Sequence, residues 1–386
     1  MESHLPPPPP AKEKASSMPS PSALDSTLIK LLQLAANPGS NPKWDTITIV
    51  NDTPIRRLMN VPYSPPISAD PMQKLDIYFP PTHPAVNLPS NLTFLPTHSP
   101  PNPLPVLVHI HGGGWARGGK ATWAHGAPSI CKALCAQGVI AISVGYRLGT
   151  YPHFVDDAAM AVGWVRENIA SLGGDVNNVY LSGHSAGAHI ASLMTVRHER
   201  FLKPHNVPPS FIKGLMLISG VYNLFAPLSK ALLDVKNKGF VLLYVLPSFG
   251  LDRTLRREAS PLILLEPDTD VGLAGKVAMA AGAKGWSVPS LQSWSADPAE
   301  VEKERGLNKY AAEGLTLNQT ELPPCLVFNC QFDVGLQSDG EKMSKALSKY
   351  TECRYVYVEK ADHGSVCWTA KTHKEMVDFM FKIYKS

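Results

Sequence analysis

Two short strings, far apart in the chain, carry residue types that can do chemistry together. Gly183-His184-Ser185-Ala186-Gly187 follows an apolar run ending at Ser182 and opens a stretch with helical spacing from Ala186. On a strand-to-helix turn, flanking glycines let the backbone fold tightly enough to lift the serine hydroxyl above a sheet edge. There it sits at a helix N-terminus, whose dipole favours developing negative charge. His111-Gly112-Gly113-Gly114-Trp115 directly follows a second apolar run, residues 106–110. Three consecutive glycines leave main-chain N–H groups unobstructed, so a carbonyl oxygen can approach them as it becomes an oxyanion. Together the strings spell acyl transfer, with Ser185 as nucleophile and the N–H groups of Gly113, Gly114 and Ala186 as the oxyanion hole.

A serine hydroxyl is a weak nucleophile at neutral pH and needs a base, usually an imidazole oriented by a carboxylate. For a serine on such a turn, the acid and then the histidine follow in chain order, here expected at the ends of the last two strands. Asp333, just past the run 325–329, and His363, just past 355–358, fit that order. His184, His189, His198 and His205 precede the acid, and His373 lies inside the last helical stretch. Asp339 and Asp362 are rival carboxylates. The first reads as a helix cap, and the second, a chain neighbour of His363, rarely would point at the ring nitrogen facing away from the serine. Trp115, Tyr146 and Tyr222 are expected to line the substrate pocket, with core packing as the alternative for each.

Two other chemistries compete for the same stretch. Gly114 to Lys120 has phosphate-loop spacing, but Ala121 stands where a hydroxyl must meet magnesium. His109 and His111 could share a strand face and hold a metal, yet they lack an acidic or histidine partner at a suggestive spacing. No metal or organic cofactor is implied.

The elements that must position these residues are legible from residue 105 onward. Short apolar runs at 106–110, 139–144, 179–182, 214–218, 325–329 and 355–358 alternate with helical spacing at 128–137, 154–172, 186–198, 340–349 and 371–384. Such alternation predicts an α/β fold with a mostly parallel central sheet flanked by helices. Residues 222–322 break the rhythm and read as a helical cap insertion, Gly/Ala-rich over 271–285; its apolar stretch 239–251 reads as a buried helix that could alternatively admit a greasy substrate. Of the 36 prolines, 22 fall in residues 1–104. Residues 1–22 read as a disordered Pro-rich tail, 26–36 as a short helix, 46–50 and 75–79 as strands, and 80–105 as a proline-punctuated loop. The domain proper is therefore expected over 23–386.

Composition excludes several classes. The chain has 386 residues, 44% apolar and 18% charged, with a net charge of +4. That is ample for a core and too weakly basic for a nucleic-acid stripe. The longest apolar stretch, 239–246, is too short to span a membrane, and no secretory leader is visible, which places the expected location in the cytoplasm. Six cysteines without a Cys-x-x-Cys pair fit buried thiols in a reducing compartment. The oligomeric state is not legible.

The strings above, with Ser219-Gly-Val-Tyr-Asn223, Ser260-Pro261, Gln331-Phe-Asp333 and Asp362-His-Gly364, resemble the esterase/formamidase branch of the α/β-hydrolase superfamily over roughly residues 70–384. Within it the chain is similar to kynurenine formamidases and to prenylcysteine methylesterases. The resemblance implies an α/β-hydrolase fold and assigns Ser185, Asp333 and His363 as nucleophile, acid and base, with Gly113, Gly114 and Ala186 as oxyanion donors, matching the reading from the residues. The expected function is a serine hydrolase cleaving a carboxylic ester or activated amide of a small molecule through an acyl-enzyme. A formamidase-type amide hydrolase, a transacylase or cyclase, and a non-catalytic binding protein stand as alternatives.

Overall fold

The computed structural model describes residues 43–45, 48–50, 53–65, 70–87, 102–122, 126–225, 241–266 and 322–384. The expectations for the tail 1–22, the helix 26–36 and the Gly/Ala-rich stretch 271–285 lie outside the described residues.

Ten strands form the sheet: β1 Lys43–Trp44, β2 Thr48–Val50, β3 Thr53–Pro62, β4 Lys74–Phe79, β5 Leu104–Ile110, β6 Ile140–Val144, β7 Gly174–His184, β8 Ile212–Ile218, β9 Cys325–Phe332 and β10 Cys353–Asp362. Their spatial order is β1-β3-β4-β6-β5-β7-β8-β9-β10, with β2 paired to β3. All pairings from β6 to β10 are parallel, while β1 to β4, and β4 against β6, run antiparallel. Seven helices matter to the site: α1 Ala127–Cys135, α2 His153–Asn168, α3 Ala186–Val196, α4 Arg253–Glu258, α5 Pro261–Leu265, α6 Gln337–Leu347 and α7 Ala370–Tyr384.

The apolar runs are continuous because both sheet faces are covered. Val106, Val108 and Ile110 join the core cluster containing α2 and α3, whereas Leu107 between them joins the cluster containing α1 and α7. Leu215 and Leu217 against Met216 and Ile218 repeat the alternation on β8. Successive strand side chains point to opposite faces, so a strand buried on both sides must be apolar throughout.

The strand β3 was not expected. It has no apolar run, carrying Arg56, Arg57 and Asn60 between two prolines. Tertiary partners make those charges tolerable: Arg56 donates to the Ala85 carbonyl at 2.9 Å, and Arg57 pairs with Asp45 at 2.6 Å and with buried Asp76 at 3.5 Å. The stretch 239–251 is also less regular than expected. Its described part holds a single helical turn, Val241–Val245, and the short helix Leu246–Phe249. Phe249 is buried, but Leu242, Leu243 and Leu251 face solvent. No helix among the described residues is long and apolar enough to cross a membrane.

Candidate active site

The turn between β7 and α3 is shaped by contacts that only glycine allows. A side chain at Gly183 would put its Cβ 2.2 Å from the Gly187 carbonyl oxygen, and one at Gly187 would lie 2.1 Å from that of Ile110. The crossing strand end and helix start therefore approach to backbone contact, and Ser185 takes the strain, with φ 53° and ψ −118°. Non-glycine residues at positive φ cost about 1–3 kcal/mol and persist where surrounding structure over-determines them. Here the Ser185 N–H donates to the Ile218 carbonyl on β8 at 2.8 Å. Trp115, Ser219 and Val334 also sit at positive φ, so four such residues lie at or beside the sequence-predicted site residues.

The structure brings Ser185, His363 and Asp333 into one line. His363 Nε2 lies 2.9 Å from Ser185 Oγ, and His363 Nδ1 lies 2.7 Å from Asp333 Oδ1. With Nδ1–H donating to the carboxylate, Nε2 is left as the acceptor facing the serine hydroxyl. The other carboxylate oxygen, Oδ2, accepts from Ser219 Oγ at 2.8 Å, from the Asn329 side-chain amide and from the Cys330 N–H at 3.3 Å. Burial alone would push the Asp333 carboxyl up. The hydrogen bond and charge of His363, with the bonds from Asn329 and Ser219, hold it below the usual carboxylate range. Asn329 can reach the acid because Gly340 has no side chain: a Cβ there would lie 1.5 Å from the Asn329 Oδ1. The base is tied down as well, since His184 Nε2–H donates to the His363 carbonyl at 2.7 Å.

The glycine loop after β5 packs against this turn. A Cβ on Gly112 would come 3.2 Å from that of Ser185. Gly113 and Gly114 have φ 123° and 60°, and among the described residues their N–H groups donate to no main-chain carbonyl. Ala186 is the first residue of α3, where an N–H has no partner within the helix. All three predicted donors therefore belong to backbone segments next to Ser185, at the carboxyl ends of the central strands.

The rivals fall away on geometry. Asp362 Oδ1 accepts from the N–H groups of Gly364 at 3.0 Å and Ser365 at 2.8 Å, closing its own turn. Asp339 lies within the first turn of α6, inside the helix rather than at its cap. His109 is buried in the sheet and bonded to Ser182 Oγ at 2.7 Å, and burial pushes it down to about 3. Lys120 reaches Asp76 at 2.8 Å and Asn60 at 2.8 Å, not a loop of free N–H groups.

The expectation for Trp115, Tyr146 and Tyr222 as pocket-lining residues is corrected: all three side chains are fully buried. Tyr146 donates to the His111 carbonyl at 3.0 Å and stacks on its ring at 4.2 Å, so it shapes the glycine loop from beneath. Trp115 donates from Nε1 to His189 Nδ1 at 3.1 Å. Large aromatics next to a strained loop are recruited to fill the space under it. Ser219, Asn329 and His184 were missed as participants. Ser219 and His184 stand inside strings that drew notice, but nothing in their spacing says which side chain points at Asp333 or at the carbonyl of His363.

Comparison with known proteins bears on the fold. A family model described as BD-FAE matches residues 93–228. The carboxylesterase NlhH of Mycobacterium tuberculosis is 44% identical over 94 residues, covering 24% of this chain and 28% of that protein. An isoprenylcysteine alpha-carbonyl methylesterase of Arabidopsis thaliana is 34% identical over 161 residues, covering 40% and 33%. The chain thus spans about a third or less of the length of either relative. Among solved structures, esterase B of Lactobacillus rhamnosis superposes with a TM-score of 0.55 at 18% identity, covering 89% of this chain and 87% of that one. A hyperthermophilic esterase of the archaeon Pyrobaculum calidifontis gives 0.50 at 18% identity over 93% and 88%. Parallel central sheet, strand-to-helix serine turn and likeness to these solved structures converge: the chain has the α/β-hydrolase fold.

Proposed function

We propose that this protein is a serine hydrolase that cleaves a carboxylic ester of a small molecule through an acyl-enzyme. The observation that carries the reading is the line of hydrogen bonds from Asp333 through His363 to Ser185, 2.7 and 2.9 Å long, ending beside a glycine loop. His363 Nε2 takes the hydroxyl proton as Ser185 Oγ attacks the ester carbonyl. The oxyanion is received by the N–H groups of Gly113, Gly114 and Ala186, and Asp333 stabilises the imidazolium. The imidazolium then protonates the leaving alcohol. A water gives its proton to the same nitrogen, attacks the acyl-enzyme and releases the acid, returning the proton to Ser185. Relatives bearing carboxylesterase and methylesterase names support an ester over a formamide. Six free thiols support a reducing, cytoplasmic setting.

The test is a panel of p-nitrophenyl esters of short acids, an isoprenylcysteine methyl ester and N-formylkynurenine, run beside a fluorophosphonate probe. Hydrolysis of at least one ester and labelling at Ser185, both absent in Ser185→Ala, are expected. A folded chain that neither labels nor turns over any of these would overturn the proposal.

A further inference from the structure

His189, one turn into α3, belongs to none of the steps above, yet it joins two parts of the molecule. Its Nδ1 accepts from the Trp115 indole N–H at 3.1 Å, so the ring proton sits on Nε2, which donates to the Ala259 carbonyl at 2.7 Å. Trp115 ends the glycine loop, and Ala259 ends α4, which lies within the 222–322 insertion. The ring is fully buried, and burial pushes it down to about 4, leaving it neutral at pH 7 in this one tautomer.

The loop it holds needs holding. Gly113, Gly114 and Trp115 are three successive residues with positive φ, the last carrying the largest of side chains in a region L residues avoid. Trp115 stays there because its indole is enclosed: edge-on to Phe249 at 4.9 Å and to His189 at 5.2 Å, and fully buried. On the other side, the Tyr244 ring packs so closely on Gly114 that a Cβ would lie 2.3 Å from it. Phe249 and Tyr244 both come from the segment 241–249, before α4. The loop is therefore clamped between α3 and the segment 241–259; the Gly149 N–H donates to the Trp115 carbonyl at 2.8 Å and the Arg117 N–H to that of Gly113 at 3.2 Å, and His189 supplies the hydrogen bond that holds the Trp115 side chain.

On the hydrolase reading, we propose that His189 is a positioning residue for the oxyanion hole, fixing the Gly113–Gly114 N–H groups through Trp115 and coupling them to the cap side through the Ala259 carbonyl. A preorganised hole acts on the transition state far more than on the ground state, so its loosening shows in kcat. A histidine that merely fills the core would change the stability of the chain and leave the turnover of each intact site alone.

The experiment measures hydrolysis of p-nitrophenyl acetate per fluorophosphonate-titrated serine in the wild type, His189→Leu, His189→Gln, Trp115→Phe and the Leu/Phe double variant. His189→Leu should lose kcat by about tenfold or more with KM within about twofold. His189→Gln, which can accept and donate along the same edge, should recover part of it. Trp115→Phe, which keeps the ring and removes the N–H, should lose several-fold, and the double variant should cost no more than His189→Leu. Retention of kcat within about twofold by His189→Leu, or additive losses in the double variant, overturns the inference. If His189→Leu does not fold, Trp115→Phe decides alone by the same twofold limit. A wild type that neither turns over nor labels sinks the hydrolase reading itself and this inference with it, whereas an active wild type with indifferent variants sinks only the latter.

Discussion

Asp333 and His363 are held by side-chain hydrogen bonds, whereas Gly113 and Gly114 are held by main-chain conformation and aromatic packing. On the acid–base side, a buried carboxylate accepts from His363, Ser219, Asn329 and the Cys330 N–H. Each donor keeps it ionised and fixes one direction in which it can face. On the loop side, the proposed oxyanion donors are backbone N–H groups, which side chains can position only through the conformation of the main chain. They are aimed by forcing three residues into left-handed conformations and packing Tyr244, Phe249 and His189 around the result. The lesson is that charge is placed by satisfying it, and a dipole of the main chain is placed by steric exclusion. The first kind of construction fails on lost donors; the second fails on changes of shape, and on a lost donor where a side-chain bond such as Trp115 to His189 holds that shape.

Substitutions can break or sharpen this contrast. Both sides serve one attack, by the Ser185 hydroxyl on the ester carbonyl, so Ser185→Ala should abolish nearly all turnover, a loss of roughly 10⁴-fold or more in kcat, read by ester hydrolysis at saturating substrate. On the acid–base side, Asp333→Asn preserves shape and removes charge. It should cost on the order of 10³- to 10⁴-fold, because the amide favours the wrong imidazole tautomer. On the loop side the damaging change is one of shape: Gly114→Ala adds a Cβ 2.3 Å from the Tyr244 ring at φ 60°. A loss of about 3 kcal/mol in transition-state stabilisation is expected, near that of deleting one oxyanion donor, and Tyr244→Ala in the same chain should restore part of it.

Acid should weaken the loop side through its buried histidine. Burial depresses His189 to about 4 in the folded chain, against an ordinary value of 6.5, so the unfolded chain binds the extra proton first. The stability this neutral ring contributes is intact above about pH 6.5 and is lost as pH falls toward 4, at roughly 1.4 kcal/mol per pH unit. Urea unfolding at several pH values should show that slope, shallower in His189→Gln; an unchanged slope would assign the loss to other groups such as His109. The smallest effect is expected from Ser219→Ala. It removes one of the donors to Asp333, costs about 1 kcal/mol of stability, and lets the carboxyl rise. Because a depressed carboxylate stabilises the fold above its unfolded value and loses that as pH falls through its folded value, the variant should lose its acid resistance at a higher pH than the wild type.

Much of the site was readable before any coordinates. In Gly183-His-Ser-Ala-Gly187 and His111-Gly-Gly-Gly114 glycine is demanded by tight turns and close approaches, some local, as at Gly183 and Gly113, and some to distant residues, as at Gly187 and Gly114; the clustered glycines show in the sequence even where their neighbours do not. Asp333 and His363 were reachable because chain order and strand ends restrict the choices. Ser219, Asn329, His184 and His189 were not assigned, since their roles depend on which distant group each side chain meets. In the sequence Trp115 and Tyr146 stand open between pocket and core, because a large aromatic beside a catalytic string looks the same whether it faces substrate or supports the loop. Only their full burial, and their bonds to His189 and the His111 carbonyl, separate the two. The strand Thr53–Pro62 escaped notice for a related reason: its arginines are acceptable only once Ala85, Asp45 and Asp76 are in place.

From residue 105 onward the order of types along the chain determined the sheet, because continuous apolar runs must be buried on both faces and parallel neighbours need helical crossovers. It also marked where the proposed nucleophile and oxyanion cradle stand, since clustered glycines record where the backbone must turn tightly or be closely approached. Tertiary structure alone decided how each polar group is aimed. A hydrogen bond at 2.7 Å between residues thirty positions apart depends on strand register and packing summed over the whole fold, and no window of sequence contains that sum.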